Sequence, residues 1–536
     1  MPTLTADAVV IGGGHHGLVA AAVLADAGWD VCVLESAGVV GGAIRSAQLY
    51  PGFTADLFSA FYPLAAASPV LRALELEGHG LRWSHAPNVL AHPPRPDGAP
   101  AAVLHRDRER TAAGLAQHDP RDGEAWLRLC SQWDAVGNAV LRTLFTAFPP
   151  VRGPVQLLRR IGSAEALRLA RFLALPVGRM GEELFASEAA RLLLAGNAVH
   201  ADAPPDATVS GVFGWLLAML GQQYGFPAPV GGSGELAVAL GRRATTAGAD
   251  LRTGEHVERI EVSGGRAVAV HTASGLSVRV RRAVVADVAA PTLYRDLLLP
   301  EVLPPRLHAD LARFVWDTPV VKVNWALDGR IPWRASDVAG AGTVHVGADM
   351  RGLVRWSADI ESGTVPASPF LLVGQMSTAD PSRSPDGTES AWAYTHLPRG
   401  VAHDEAAAEL AGRVDAVLEQ FAPGFGARVL DRSVQLPGDL QAADPNLVHG
   451  AVNGGTAQLF QQLVFRPVPG LGRSETVVGG LYLGSASAHP GGGVHGVCGW
   501  LAARAALADH GSFGALRRRM TSAALELLYR DSAIGR

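Results

Sequence analysis

The residues with the clearest chemical potential are glycines that stand just before helical runs. Gly12-Gly13-Gly14-His15-His16-Gly17 follows the apolar run Val9-Val10-Ile11 and precedes Leu18-Val19-Ala20-Ala21-Ala22-Val23-Leu24. A second apolar run, Val31-Cys32-Val33-Leu34, ends at Glu35. Strand, G-x-G-x-x-G, helix, strand, acid is the spacing of a dinucleotide site. Gly12 makes the tight turn, Gly14 lets backbone approach a pyrophosphate, and Gly17 lets helix pack on strand. The helix N-terminus then faces phosphates, and Glu35 can hold a ribose diol. Gly41-Gly42, with Arg45 soon after, is more than a nicotinamide-binding unit needs. It points to a longer dinucleotide across two loops, with Arg45 near its phosphates. The other reading of Arg45 is a surface salt bridge.

The densest glycine cluster comes late. A strand-like Gly479-Gly480-Leu481-Tyr482-Leu483-Gly484 reaches the loop from Ser485 through His489-Pro490-Gly491-Gly492-Gly493-Val494-His495-Gly496, and a helical run follows. Three consecutive glycines strip side chains from one approach. That suits a flat ring lying on backbone, with helix N–H groups able to stabilise negative charge on it. His489 could hydrogen-bond such a ring or relay a proton; it could equally be a loop histidine tied to backbone. Lys322 is the sole lysine, in the alternating strand Val320-Val-Lys-Val-Asn-Trp-Ala-Leu327. A buried lysine is a compact donor that arginine does not easily replace. Its other reading is a polar position on a half-buried strand.

The elements that carry these residues sit in a chain of 536 residues with 62 Gly, net charge −4 and pI about 6.5. Bulk charge therefore gives no case for nucleic acid. Cys32, Cys130 and Cys498 lie far apart without a CxxC, so a zinc site or redox dithiol is not expected, and no metal is assigned. No basic segment with a cleavable apolar run opens the sequence, and Val212–Leu220 is too short to span a bilayer. The expectation is a cytoplasmic protein. Val155 to Leu175 alternates Arg159, Arg160, Arg168 and Arg171 with leucines, as a basic amphipathic helix does. Such a helix lies on a membrane surface or forms a solvated domain face.

The ordered series GGGHHGLVAAAVLADAGWDVCVLE, VVGGAIRS, PVGGSGELAVAL with HVERIEV, FRPVPG and GLYLGSASAHPGGGVHG resembles the phytoene-desaturase-like FAD oxidoreductases, in the branch with the carotenoid ketolases. The resemblance implies an α/β glutathione-reductase-type FAD-binding Rossmann fold with an inserted α+β substrate domain. It implies FAD in an extended pose on Gly12, Gly14, His16, Gly17, Glu35, Gly41, Gly42 and Arg45. Val257 would meet the adenine, and Ser485, Gly492, Gly493 and Val494 would lie along the ribityl chain and flavin. His16 stands where relatives often carry Asn, and Ser485 where many carry Asp. Lys322 resembles the lysine of flavin amine oxidases that contacts flavin N5 through water.

The expected FAD-binding domain is discontinuous, 1–75, 225–300 and 425–536, with 76–224 and 301–424 forming the substrate domain. The expected activity is FAD-dependent dehydrogenation or ketolation of an apolar isoprenoid or polyene-like substrate by hydride transfer to flavin. Peripheral membrane contact accompanies this reading. The alternatives are amine oxidation and a flavoprotein acting mainly through protein partners.

Overall fold

The computed structural model describes residues 3–401 and 404–530. The opening apolar run forms the strand Thr3–Ile11, the centre of a seven-stranded sheet. Val31–Glu35 and Ser277–Ala286 flank it in parallel, with Val10 opposite both Val33 and Val285. Asp250–Thr253 and Leu481–Leu483 extend the parallel part at either side. Val9, Val10, Val33, Val284 and Val285 are fully buried. Burial on both faces is why these strands read as unbroken apolar runs rather than alternating ones. The helices His15–Asp26, Ser233–Thr246 and Val497–Asp509 cover one face. The antiparallel hairpin Val257–Ser263 and Arg266–Thr272 completes the sheet at the Ser277–Ala286 side.

A second seven-stranded sheet carries the substrate side. Its order is Val429–Gln435, Val320–Leu327, Glu389–His396, Leu371–Gln375, Ala341–Val346, Asn88–His92 and Ala102–Leu104. The helix Asp404–Phe421 packs on one face. Helices from 108 to 224 build the wall beside it.

Two expectations change. Val429–Gln435 pairs with Val320–Leu327, so sheet membership carries the substrate side past the boundary expected at 425. The strand holding Lys322 is buried on both faces, not half-buried. The basic helix runs over Arg152–Ala174, but Gly162, at φ 78°, interrupts it. Among the described residues no helix is long and apolar enough to cross a membrane.

Candidate functional site

One cavity of about 1400 Å³ runs between the two sheets. That exceeds the ~300–1,000 Å³ usual for a single ligand, so it has room for a dinucleotide and a second molecule. Gly12, Gly14, His16, Glu35, Gly42, Arg45, Val257, Ser485, Gly492, Gly493 and Val494 all line it, as do Lys322 and His489. Gly17 and Gly41 lie behind the lining. A Cβ on Gly17 would come within 2.1 Å of the Gly12 carbonyl oxygen, the close helix-to-loop packing its spacing predicts. The Gly41 N–H donates to Gly13 O at 2.8 Å and joins the first two glycine loops. His15 adds a third link, its Nε2 donating to Gly493 O at 3.3 Å.

Gly14 has a second reason to lack a side chain, beside the expected approach of a pyrophosphate. A Cβ there would stand 2.7 Å from Oδ2 of Asp287, and that same oxygen accepts the Gly17 N–H at 2.7 Å. Asp287 follows directly on the strand Ser277–Ala286, at the carboxyl edge of the sheet where open α/β folds bind ligands. Burial pushes its carboxyl up to about 8, with the Asp444 and Glu35 carboxylates adding in the same direction. Sequence reading missed Asp287; the signal was an apolar strand ending in an acid.

Glu35 is buried and spans the loop. Its Oε2 accepts from Gly13 N and its Oε1 from Ala37 N, each at 2.7 Å. A carboxylate has further lone pairs for a ribose diol. Arg45 donates through Nε to Gly42 O at 2.9 Å and also to Ala443 O. It is held by carbonyls, not by the surface salt bridge weighed above, and its cationic face stays on the cavity.

At the far end, Gly492 and Gly493 form a side-chain-free cradle. A Cβ on either would meet Asn453 or Leu64 at 2.7 Å. The adjoining loop 452–456 is clamped from two sides. Its N–H groups at Val452, Asn453 and Gly455 donate to the Asp317 carboxylate at 2.6–3.2 Å. Its carbonyls at Asn453 and Thr456 accept from the fully buried Arg466, at 2.7 and 3.0 Å. Arg466 also reaches Ala486 O at 2.7 Å and so joins this loop to the Ser485 loop. Ser485 Oγ accepts from Ser487 N at 3.2 Å.

Lys322 projects from its strand into the cavity. Its ammonium donates to the carbonyls of Asp56 and Phe58, and Nζ stands 5.5 Å from the centre of the Trp392 ring. Burial lowers it to about 8. The Asp56 carbonyl is itself held: its carboxylate is in a buried ion pair with Arg383, which also meets Asp380. His489 donates from Nε2 to Thr146 O at 3.0 Å, and burial lowers its pKa. One ring nitrogen is thus tied to backbone. His16, His495 and Cys498 each bring a ligand-type atom within 4.8 Å of the others. Both His495 nitrogens are already engaged, with Gly491 O and Val497 N, so this group is a packing cluster.

The arrangement fits FAD on its own terms. The first-helix N-terminus, Glu35 and Arg45 suit the adenosine diphosphate half, and the Gly492–Gly493 cradle suits a flat ring. Beyond that cradle the cavity is walled by Val140, Leu144, Phe145, Val212, Phe213 and Leu217.

The model of the flavin containing amine oxidoreductases matches residues 17–507. A pyridine nucleotide-disulfide oxidoreductase domain-containing protein 2 of Rattus norvegicus is 30% identical over 553 residues, covering 94% of this chain and 93% of the relative. A lycopene-forming phytoene desaturase of Pantoea ananas is 26% identical, covering 93% and 98%. Among solved structures, an oxidoreductase from Methanosarcina mazei superposes with a TM-score of 0.61 at 17% identity, covering 93% of this chain and 99% of that one.

Proposed function

The chain belongs to the flavin-containing amine oxidoreductase family and is an FAD-dependent oxidoreductase, and on that premise we propose that it dehydrogenates or ketolates an apolar, isoprenoid or polyene-like molecule. The observation that carries this reading is the wall beyond the flavin cradle. From Val140 to Phe145 and from Val209 to Leu217 the lining side chains are aliphatic or aromatic. No carboxylate stands among them to receive an ammonium. The phytoene desaturase relative acts on a molecule of the proposed class. Bound FAD supplies the two-electron acceptor. The chain's own groups bind and orient. Arg45 and the helix N-terminus hold phosphates, and the glycine cradle lets the ring approach backbone. The apolar wall excludes water around the reacting carbon. The Lys322 ammonium, fixed by two carbonyls, keeps a donor available at the cavity.

Anaerobic mixing of the holoenzyme with carotenoids, acyclic isoprenoids and amines tests this. Loss of the oxidised flavin band with an isoprenoid or carotenoid, and not with amines, is the expected result. Bleaching by amines alone would favour amine oxidation, the reading that Lys322 supports. A flavin that no compound bleaches would favour action through protein partners.

Peripheral membrane contact belongs to the same proposal. Val452, Leu459, Phe460 and Leu463 line the cavity and are exposed, Phe460 by 57%. An apolar rim continuous with an apolar chamber suits an interfacial position over lipid. Replacing Phe460 with Ser removes about 1 kcal/mol of buried apolar area on the membrane. Binding to anionic phosphatidylglycerol vesicles is expected to weaken roughly fivefold, read by co-sedimentation. Unchanged binding would remove the rim from the proposal.

A further inference from the structure

Four histidines distant in sequence meet on the substrate side. His92 ends the strand Asn88–His92, and His345 lies on the neighbouring parallel strand Ala341–Val346. His396 ends Glu389–His396, and His200 follows the helix Glu188–Ala198. Phe370 and Trp356 pack around them. His200 alone of the four is less than fully buried and lines the cavity, as Val212 and Phe213 do.

Nε2 of His200 lies 2.9 Å from Nε2 of His345. Two ring nitrogens at that distance share one hydrogen, so one donates and the other accepts. Burial holds His200 at about 3 and His345 well below 6.5, so both rings are neutral. Each neutral ring then has one N–H, and the question is which ring donates. The other nitrogen of His345 decides it. His345 Nδ1 is buried without a hydrogen-bond partner and packs against Gly196, where a Cβ would stand 2.3 Å away. A hydrogen on Nδ1 would be a buried donor with no acceptor, the rarer and more costly kind of unpaired group. The arrangement that avoids such a donor keeps the hydrogen of His345 on Nε2, donated to His200. With its Nε2 accepting, neutral His200 must have its own hydrogen on Nδ1. That nitrogen makes no hydrogen bond among the described residues.

From this geometry we propose that His200 presents an Nδ1–H donor to the substrate chamber, that His345 is the positioning residue that fixes this tautomer, and that the substrate carries an acceptor oxygen on its apolar skeleton. The inference rests on the apolar-substrate reading above and narrows it. Mostly apolar pockets use a few such polar groups to set orientation, and a donor left unpaired by a pure hydrocarbon penalises it. A ketone, aldehyde or hydroxyl oxygen satisfies the donor. Gly196 and the His345 ring against it are the packing that holds the device in place.

The test uses holoenzyme and two C15 isoprenoid probes, the aldehyde farnesal and the hydrocarbon farnesene, titrated against the flavin absorption band. Farnesal is expected to bind roughly fivefold more tightly, the worth of about one neutral hydrogen bond. His200→Phe should make the two equal while the flavin spectrum stays intact, and His345→Leu should reduce the preference without abolishing binding. Equal affinities in the wild type, or a preference that survives His200→Phe, would overturn the inference. Histidine-labelled 15N NMR of the holoenzyme reads the pair without either probe. A coupling across the N–H···N bond with the hydrogen on His345 Nε2 is expected. A hydrogen on His200 Nε2 would overturn the inference alone. Failure of both probes to perturb the flavin would instead count against the isoprenoid reading and leave the NMR result to decide the tautomer.

Discussion

Arg466→Leu is expected to lose bound FAD and to lower stability by about 3–5 kcal/mol, the range for removing one partner from a buried charge arrangement. The reason is the clamp on loop 452–456. Asp317 takes the loop's N–H groups, and Arg466 takes carbonyls of the same loop together with Ala486 O. Leucine fills part of the volume but leaves those carbonyls without donors. It also removes the buried cation that faces the Asp317 carboxyl, while Asp202 keeps its ion pair with Arg399. The Asp317 carboxyl is already raised above the ordinary carboxylate range, first by burial and then by Asp202. Both loops line the cavity beside the Gly492–Gly493 cradle, so their release exposes the cradle to water. Arg466→Lys keeps the charge but has no planar fork to reach three carbonyl groups at once. It should fall between wild type and Leu. Thermal denaturation and the flavin absorbance retained after gel filtration measure both variants. An Arg466→Leu protein with wild-type Tm and full flavin would refute the clamp.

What was legible in the sequence was local. Gly12–Gly17 and Gly491–Gly493 were identifiable because each sits between a strand-like run and a helix-like run, and Gly41–Gly42 because it follows so soon after the acid that ends the second strand. The apolar strands were readable because a parallel sheet covered on both faces leaves no alternation. What escaped was long-range. Asp287 meets Gly17 across 270 positions, Lys322 meets Asp56 across 266, and His200 meets His345 across 145. No spacing rule connects such residues until the sheets pair. Gly14 is instructive because local spacing gives one reason for a bare backbone there and a carboxylate from another strand gives a second. Arg45 and His489 turned on partners as well. Each is tied to carbonyls, which residue type alone does not reveal. The boundary at 425 slipped because Val429–Gln435 pairs with a strand more than a hundred residues earlier.

FAD affinity is expected to fall about tenfold between pH 7 and pH 9 because of Asp287. Its carboxyl is buried, sits under the first glycine loop and faces the Glu35 and Asp444 carboxylates. The groups that favour its anion are the Gly17 N–H and the first-helix N-terminus. Arg45 is tied to Gly42 O and Ala443 O beside Asp444. Burial and like charge prevail, and the carboxyl titrates at about 8. The sign follows directly. Below that pH the group is neutral and tolerates a bound diphosphate. Above it, a carboxylate faces the diphosphate and opposes binding, so one proton must be taken up when FAD binds. A tenfold loss over the two units corresponds to about 1.4 kcal/mol. The same raised value affects folding. Stability from this group is full below the ordinary carboxylate range near 4 and is lost as pH rises through about 8. Asp287→Asn keeps an oxygen to accept the Gly17 N–H and removes the charge. It should hold FAD equally at both pH values and raise Tm at pH 9 relative to wild type. Release of FAD from diluted holoenzyme, followed by the rise in flavin fluorescence at pH 7 and pH 9, measures the first effect. If wild type and Asp287→Asn release FAD alike across that range, no charge that opposes the diphosphate develops at Asp287, and the titration argued here is refuted.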